Sequence, residues 1–109
     1  MDSVNESGGG TILRMVADDR GNYVEVNDEA VRVLGYSREE LLQMSVWDLT
    51  PGARELDGLA MWQDFIRTGE QSGEYVMKTK GGGLLKLYYR ARANITPGRH
   101  ESILTLIPS

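Results

Sequence analysis

His100 is the single histidine of the sequence, and it stands next to Glu101. An imidazole beside a carboxylate can move protons in general acid–base chemistry, but a hydrolytic centre also needs a nucleophile or a metal set. The chain has no cysteine, which removes thiol nucleophiles, thiolate metal sites and disulfides together. The histidine falls at the start of a predicted strand, where it reads as a surface or capping residue. Carboxylates pair at Asp18-Asp19, Asp28-Glu29 and Glu39-Glu40. Each pair lies at a turn or in a first helical turn, where the helix dipole favours negative charge, so solvated caps account for them without catalysis. Lys80-Gly81-Gly82-Gly83 joins two predicted strands and lacks the Gly-Lys-Ser/Thr order that opens a helix in a phosphate loop. Asn94-Ile95-Thr96 is spelled like a glycosylation acceptor but stands without a secretory context. No catalytic residue and no metal set emerges, so the function must lie in what the elements enclose.

Those elements are legible from residue 11 onward. Met1 to Gly10 is polar and ends Ser-Gly-Gly-Gly, the composition of a flexible leader, and residues 11–108 read as one domain. The first strand is expected over residues 11–17. Asp19-Arg20-Gly21-Asn22 supplies a turn, and Tyr23-Val24-Glu25-Val26 alternates like a half-buried strand. Asn27 can cap the helix that carries Ala30, Val31 and Leu34, and Gly35 ends it. Ser37-Arg38-Glu39-Glu40 has the spacing of a capping box for the next helix. Thr50-Pro51 is a helix start, the longest helix is expected over residues 53–68, and Gly69 stops it. Strands are expected over residues 73–80, 84–95 and 101–107, with Gly81-Gly82-Gly83 and Thr96-Pro97-Gly98 as turns. Glu40 is expected to pair with Lys80 or Lys86 across the fold.

At 109 residues and a net charge of −4, the chain is one domain, with a charge balance that argues against nucleic-acid and acidic-membrane surfaces. Its apolar runs are far too short to span a bilayer, so a cytoplasmic protein is the expectation.

Gly21, Asn27, Gly35-Tyr36-Ser37, Glu39-Glu40-Leu41 and Trp47-Asp48-Leu49-Thr50-Pro51, in this order and spacing, resemble a PAS domain over residues 11–107. The resemblance implies an α+β fold: a five-stranded antiparallel sheet with short helices and one longer helix packed on one face. It implies a sensory signal-transduction module and no enzyme. Haem-binding members place an axial histidine on the long helix, and residues 53–68 contain none. Light-sensing flavin members need a reactive cysteine, which this chain lacks. A non-covalent flavin redox sensor stays open, with Trp47, Trp62, Asn27 and Asn94 as ring contacts, and so does an apolar small molecule.

Two classes of function follow. The ligand-pocket candidates are Met15, Val26, Asn27, Leu59, Trp62, Phe65, Ile66, Tyr75, Met77, Leu87, Tyr89 and Leu104, with Tyr75, Tyr89 and Asn27 as polar anchors. The same residues, with Leu13, Val24 and Leu34, also suit a dry packed core. Met15, Met61 and Met77 can adapt to more than one shape. Ile12, Val16, Val76, Tyr88, Ile103 and Ile107 alternate with charges and are expected to form an exposed stripe on the outer sheet face, suited to a homodimer or to a kinase, cyclase or regulator domain. Family members often leave their last strand through Asp-Ile/Val-Thr into a signalling helix. Here the sequence reads Leu104-Thr105-Leu106-Ile107-Pro108-Ser109, so output is expected through a partner or a second copy if the protein ends there, and in further residues if the chain is an excised domain.

Overall fold

The computed structural model describes residues 11–52 and 55–107. The expected leader and residues 53–54 of the expected longest helix lie outside the described residues. The elements run β1 (Ile12–Ala17), β2 (Tyr23–Val26), α1 (Asp28–Leu34), α2 (Arg38–Leu41), a 3-10 helix (Val46–Leu49), α3 (Glu55–Thr68), β3 (Glu70–Lys78), β4 (Leu84–Thr96) and β5 (Arg99–Leu106). The strands form one antiparallel sheet in the order β2-β1-β5-β4-β3. The helices follow β2 in the chain and the last three strands follow α3, so the first and last thirds of the chain meet at the centre of the sheet.

The local chemistry expected of the first half is present. The Asn27 side chain accepts from the Ala30 N–H at the start of α1, and Gly35 ends that helix in the left-handed conformation at φ 84°. The Ser37 hydroxyl and the Glu40 carboxylate close a reciprocal capping box on α2. Glu40 also accepts from Lys80 at 2.8 Å, tying α2 to the β3–β4 turn. That charge and the Ser37 backbone N–H hold the Glu40 carboxyl below the usual carboxylate range. Thr50 closes the 3-10 helix, donating its hydroxyl to the Val46 carbonyl, while the residues that lead from it into α3 lie outside the described residues.

Two readings of the β1–β2 hairpin are corrected. Val24 was expected to face inward with Val26, yet it is exposed, because the pairing slips between Val16 and Ala17. That bulge turns Tyr23 and Val26 inward and Val24 out. Val16 was expected on an exposed outer stripe and is buried, at 2% exposure. Its row across the sheet is Glu25–Val16–Glu101. Arg14, two residues away on the same face, reaches Glu25 and Glu101 at 2.6 Å each. The ion triad thus lies beside Val16 on the same face of the sheet.

The core lies between the inner sheet face and the helices. Leu13, Met15 and Ala17 of β1 meet Ala30, Leu34, Leu41 and Leu49, while Trp62 and Phe65 of α3 belong to the same cluster as Met77, Leu87, Ala91 and Leu104. Trp47 joins the two halves. A Cβ on Gly21 would stand 2.6 Å from the Trp47 ring, and a Cβ on Gly58 would stand 2.6 Å from the Trp47 Cβ. The indole stem thus sits in a notch that only glycine leaves open, wedged between the β1–β2 turn and α3. Replacing an interior helical glycine with alanine ordinarily favours the helix by about 0.5–1 kcal/mol. For Gly58→Ala the reverse sign is expected: overpacking against the Trp47 stem costs about 1–3 kcal/mol. Thermal unfolding of the variant checks this, and a raised melting temperature would contradict the notch.

Candidate functional site

The register fixes the floor of the site. One row across the inner face runs Val26–Met15–Ser102–Ala91–Gln71, and the next runs Leu13–Leu104–Tyr89–Gly73. The middle of the first row carries only serine and alanine. Small side chains leave space, and α3 with the 3-10 helix roofs it. The result is a cavity of about 420 Å³.

Seven of the twelve expected pocket residues line this cavity: Met15, Trp62, Phe65, Tyr75, Met77, Tyr89 and Leu104. Val26, Asn27, Leu59, Ile66 and Leu87 do not. Asn27 is consumed by structure. Its side-chain oxygen accepts from the Arg14 and Ala30 N–H groups, and its amide donates to the Ile12 carbonyl. Leu87 is fully buried in the core. Leu59 and Ile66 are displaced because the working face of α3 is Gly58, Met61, Trp62 and Phe65, a one-residue rotation from the expected face of Leu59, Trp62 and Ile66. Gly58 must face the Trp47 stem, and at 3.6 residues per turn that choice brings residues 61, 62 and 65 over the sheet. Met61, 71% exposed, stands at the mouth.

The residues that sequence reading left out of the pocket share a cause. Ala91, Ser102 and Gly58 bound the space because they are small, and a search for large apolar residues passes over them. Tyr23, Val46, Trp47 and Thr50 come from the hairpin and the 3-10 helix, whose approach to the sheet no periodicity announces. Gln71, Glu74 and Asp57 add polar groups to the lining.

Tyr75 and Tyr89 pack edge to face, ring centroids 5.7 Å apart, and the Tyr75 hydroxyl meets the Thr50 hydroxyl. Trp62 donates its indole N–H to the Asp18 carbonyl at 2.9 Å, which fixes α3 against the β1–β2 turn. Burial holds the Tyr23, Tyr75 and Tyr89 phenols above the ordinary tyrosine value of 10.0; for Tyr23 the charges of Tyr75 and Asp48 add to the effect.

His100 is not the surface residue expected. It is fully buried. Its Nδ1 accepts from the Asn94 N–H at 3.0 Å, which leaves the ring proton on Nε2, 2.7 Å from the Asp19 carboxylate. Its ring meets Trp62 and Phe65 edge-on at 5.8 and 6.3 Å. The imidazole therefore pins the β4–β5 hairpin to the β1–β2 turn behind the cavity wall. The polar partner that makes burial tolerable lies 81 residues away in sequence, which no local pattern reveals. Among the described residues no cluster of three or more His, Asp or Glu is placed to hold a metal.

On the outer face, Ile12 and Tyr88 are exposed at 45% and 51% and face each other across Thr105. Ile103, Val76 and Ile107 are half-buried. Arg90 flanks Ile103 and Lys86 flanks Val76, so the apolar positions there are interrupted by cations.

The PAS-domain family profile matches residues 10–102. This chain belongs to the PAS domain family, whose members are typically sensory signalling modules. Solved structures agree in fold. The PAS domain of an HTR-like protein from Haloarcula marismortui superposes with a TM-score of 0.78 at 22% identity, over 88% of this chain and 81% of that one. A domain of a sensory box sensor histidine kinase/response regulator from Geobacter sulfurreducens gives 0.74 at 24% identity, over 86% and 82%. The Cronobacter turicensis RpfR quorum-sensing receptor PAS domain in complex with BDSF gives 0.74 at 16% identity, over 93% and 98%. No curated protein matches the chain.

The raised phenols set an alkaline limit. Below pH 10 folded and unfolded chains both keep these protons, and stability is intact. Above it the unfolded chain releases them while the folded chain holds them, so stability falls as pH rises. Tyr23→Phe is expected to retain more stability than the parent above pH ~10, read as urea midpoints at neutral and alkaline pH. Equal alkaline losses in the two proteins would contradict the assignment.

Proposed function

We propose that this PAS domain is a sensor whose cavity takes a small, largely apolar molecule and whose occupancy is read by another chain. The observation that carries the reading is the cavity itself. Its volume of about 420 Å³ falls within the roughly 300–1,000 Å³ of small-molecule sites, and an apolar wall with a few polar groups is their usual make-up. A ligand that packs against Met61, Trp62 and Phe65 binds one placement of α3 better than another, and that difference in affinity is the signal. Two structural neighbours support a ligand in this fold: the Cronobacter domain in complex with BDSF, and the same domain in complex with C12:0. The neighbours drawn from sensor histidine kinases support a signalling protein as the reader. In this reading the domain catalyses no reaction. It acts in the cytoplasm, and among the described residues no helix is long and apolar enough to cross a membrane.

A second reading has its own observation. The exposed Ile12–Tyr88 pair on the outer face suits a homodimer or a docked partner domain, with or without a ligand inside. Native mass spectrometry of gently purified protein separates the two. The sensor reading expects excess mass on each chain, lost in Ala91→Leu, which fills the cavity floor. A yellow sample with matching mass would make the ligand a flavin. A bare dimer that Tyr88→Asp converts to monomer would replace the sensor reading with the docking one.

A further inference from the structure

Among the described residues, Tyr23 is the buried wall residue whose polar atom is left over. Its backbone N–H is used by the Met44 carbonyl, and the side chain lines the cavity at 5% exposure. The Tyr75 hydroxyl has Thr50 as its partner. The Tyr23 hydroxyl has no hydrogen-bond partner among the described residues, although buried hydroxyls as a rule have one. It is a donor without an acceptor, in the wall of a space large enough for a ligand. Ser102 adds a second hydroxyl to the cavity floor.

Among the described residues the lining contains no lysine, arginine or histidine. A carboxylate or phosphate moved into this site would lose its hydration with no cation among those residues to replace it. An uncharged oxygen avoids that penalty and satisfies the phenol. Resting on the sensor reading above, we infer that the cavity selects an uncharged apolar molecule bearing a hydroxyl or carbonyl oxygen, with Tyr23 donating the hydrogen bond that reads that oxygen.

Trp47 and Trp62 both line the cavity, so intrinsic fluorescence reports its occupancy. Three probes of one chain length separate the contributions when titrated at neutral pH: octanol, octanoate and octyl chloride, which lacks a strong hydrogen-bonding oxygen. Octanol is expected to bind at least about tenfold more tightly than octanoate, the scale of one desolvated charge left unpaired. Tyr23→Phe is expected to weaken octanol by about five- to tenfold, one hydrogen bond, and to leave octyl chloride unchanged. Because the phenol has no protein partner, the variant is expected to melt no lower than the parent, so a loss of octanol binding is not a loss of fold. Equal affinities for octanol and octanoate, or octanol binding indifferent to Tyr23→Phe, would overturn the head-group assignment while octyl chloride binding left the cavity reading standing. No saturable response to any of the three would overturn both.

Discussion

The indole of Trp47 meets backbone on two sides, at Gly21 in the β1–β2 turn and at Gly58 in α3, and in both places a single methyl group would collide with it. The rest of the site depends on this wedge. It sets the rotation of α3, which puts Met61, Trp62 and Phe65 on the cavity and leaves Leu59 and Ile66 off its lining. It also holds the 3-10 helix beside α3, which brings Thr50 to the Tyr75 hydroxyl. Packing against two glycines leaves little free space around the indole, because protein interiors are close-packed. The cavity is therefore a property of the packing: the roof stands over a floor of Ala91 and Ser102, which are too small to reach it.

Polar groups complete the enclosure. Long-range hydrogen bonds replace water at the places where loops would otherwise be buried unsatisfied. Asn27 serves the start of α1 and the edge of β1 at once. His100 joins Asn94 to Asp19 behind Trp62 and Phe65, and the Trp62 N–H reaches the Asp18 carbonyl. The β1–β2 turn is thus tied to α3 and to the β4–β5 hairpin by separate bonds. Against that background the Tyr23 hydroxyl stands out, because in the same region every neighbouring buried polar side chain has a partner.

Much of the fold was legible in the chain because it is encoded locally. The Asn27 cap, the Gly35 stop, the capping box of Ser37 and Glu40 and the three glycine-marked turns each rest on residues within a few positions of one another. The body of β4 follows from the alternation of Leu85, Leu87, Tyr89 and Ala91 with Lys86, Tyr88 and Arg90. The site was less legible because it is made by differences of size and by distant pairs. Leu59 and Ile66 were favoured by hydrophobicity, whereas Gly58 and Ala91 shape the cavity by what they lack. Val24 was assigned inward by alternation, and a bulge at Val16 reversed it. Val16 is buried beside Arg14, Glu25 and Glu101, whose meeting depends on strands far apart in sequence. His100 looked like a surface residue because its partner Asp19 enters from the opposite end of the chain.

The central claim is that the cavity is a binding site whose filling is felt by α3. Amide hydrogen exchange with and without saturating octanol tests it most directly, since exchange under native conditions reports local opening element by element. The account predicts slower exchange across residues 58–65 of α3 and residues 71–77 of β3, with α1 and α2 little changed. Unchanged exchange in α3, or slowing no greater there than in α1 and α2, would contradict it.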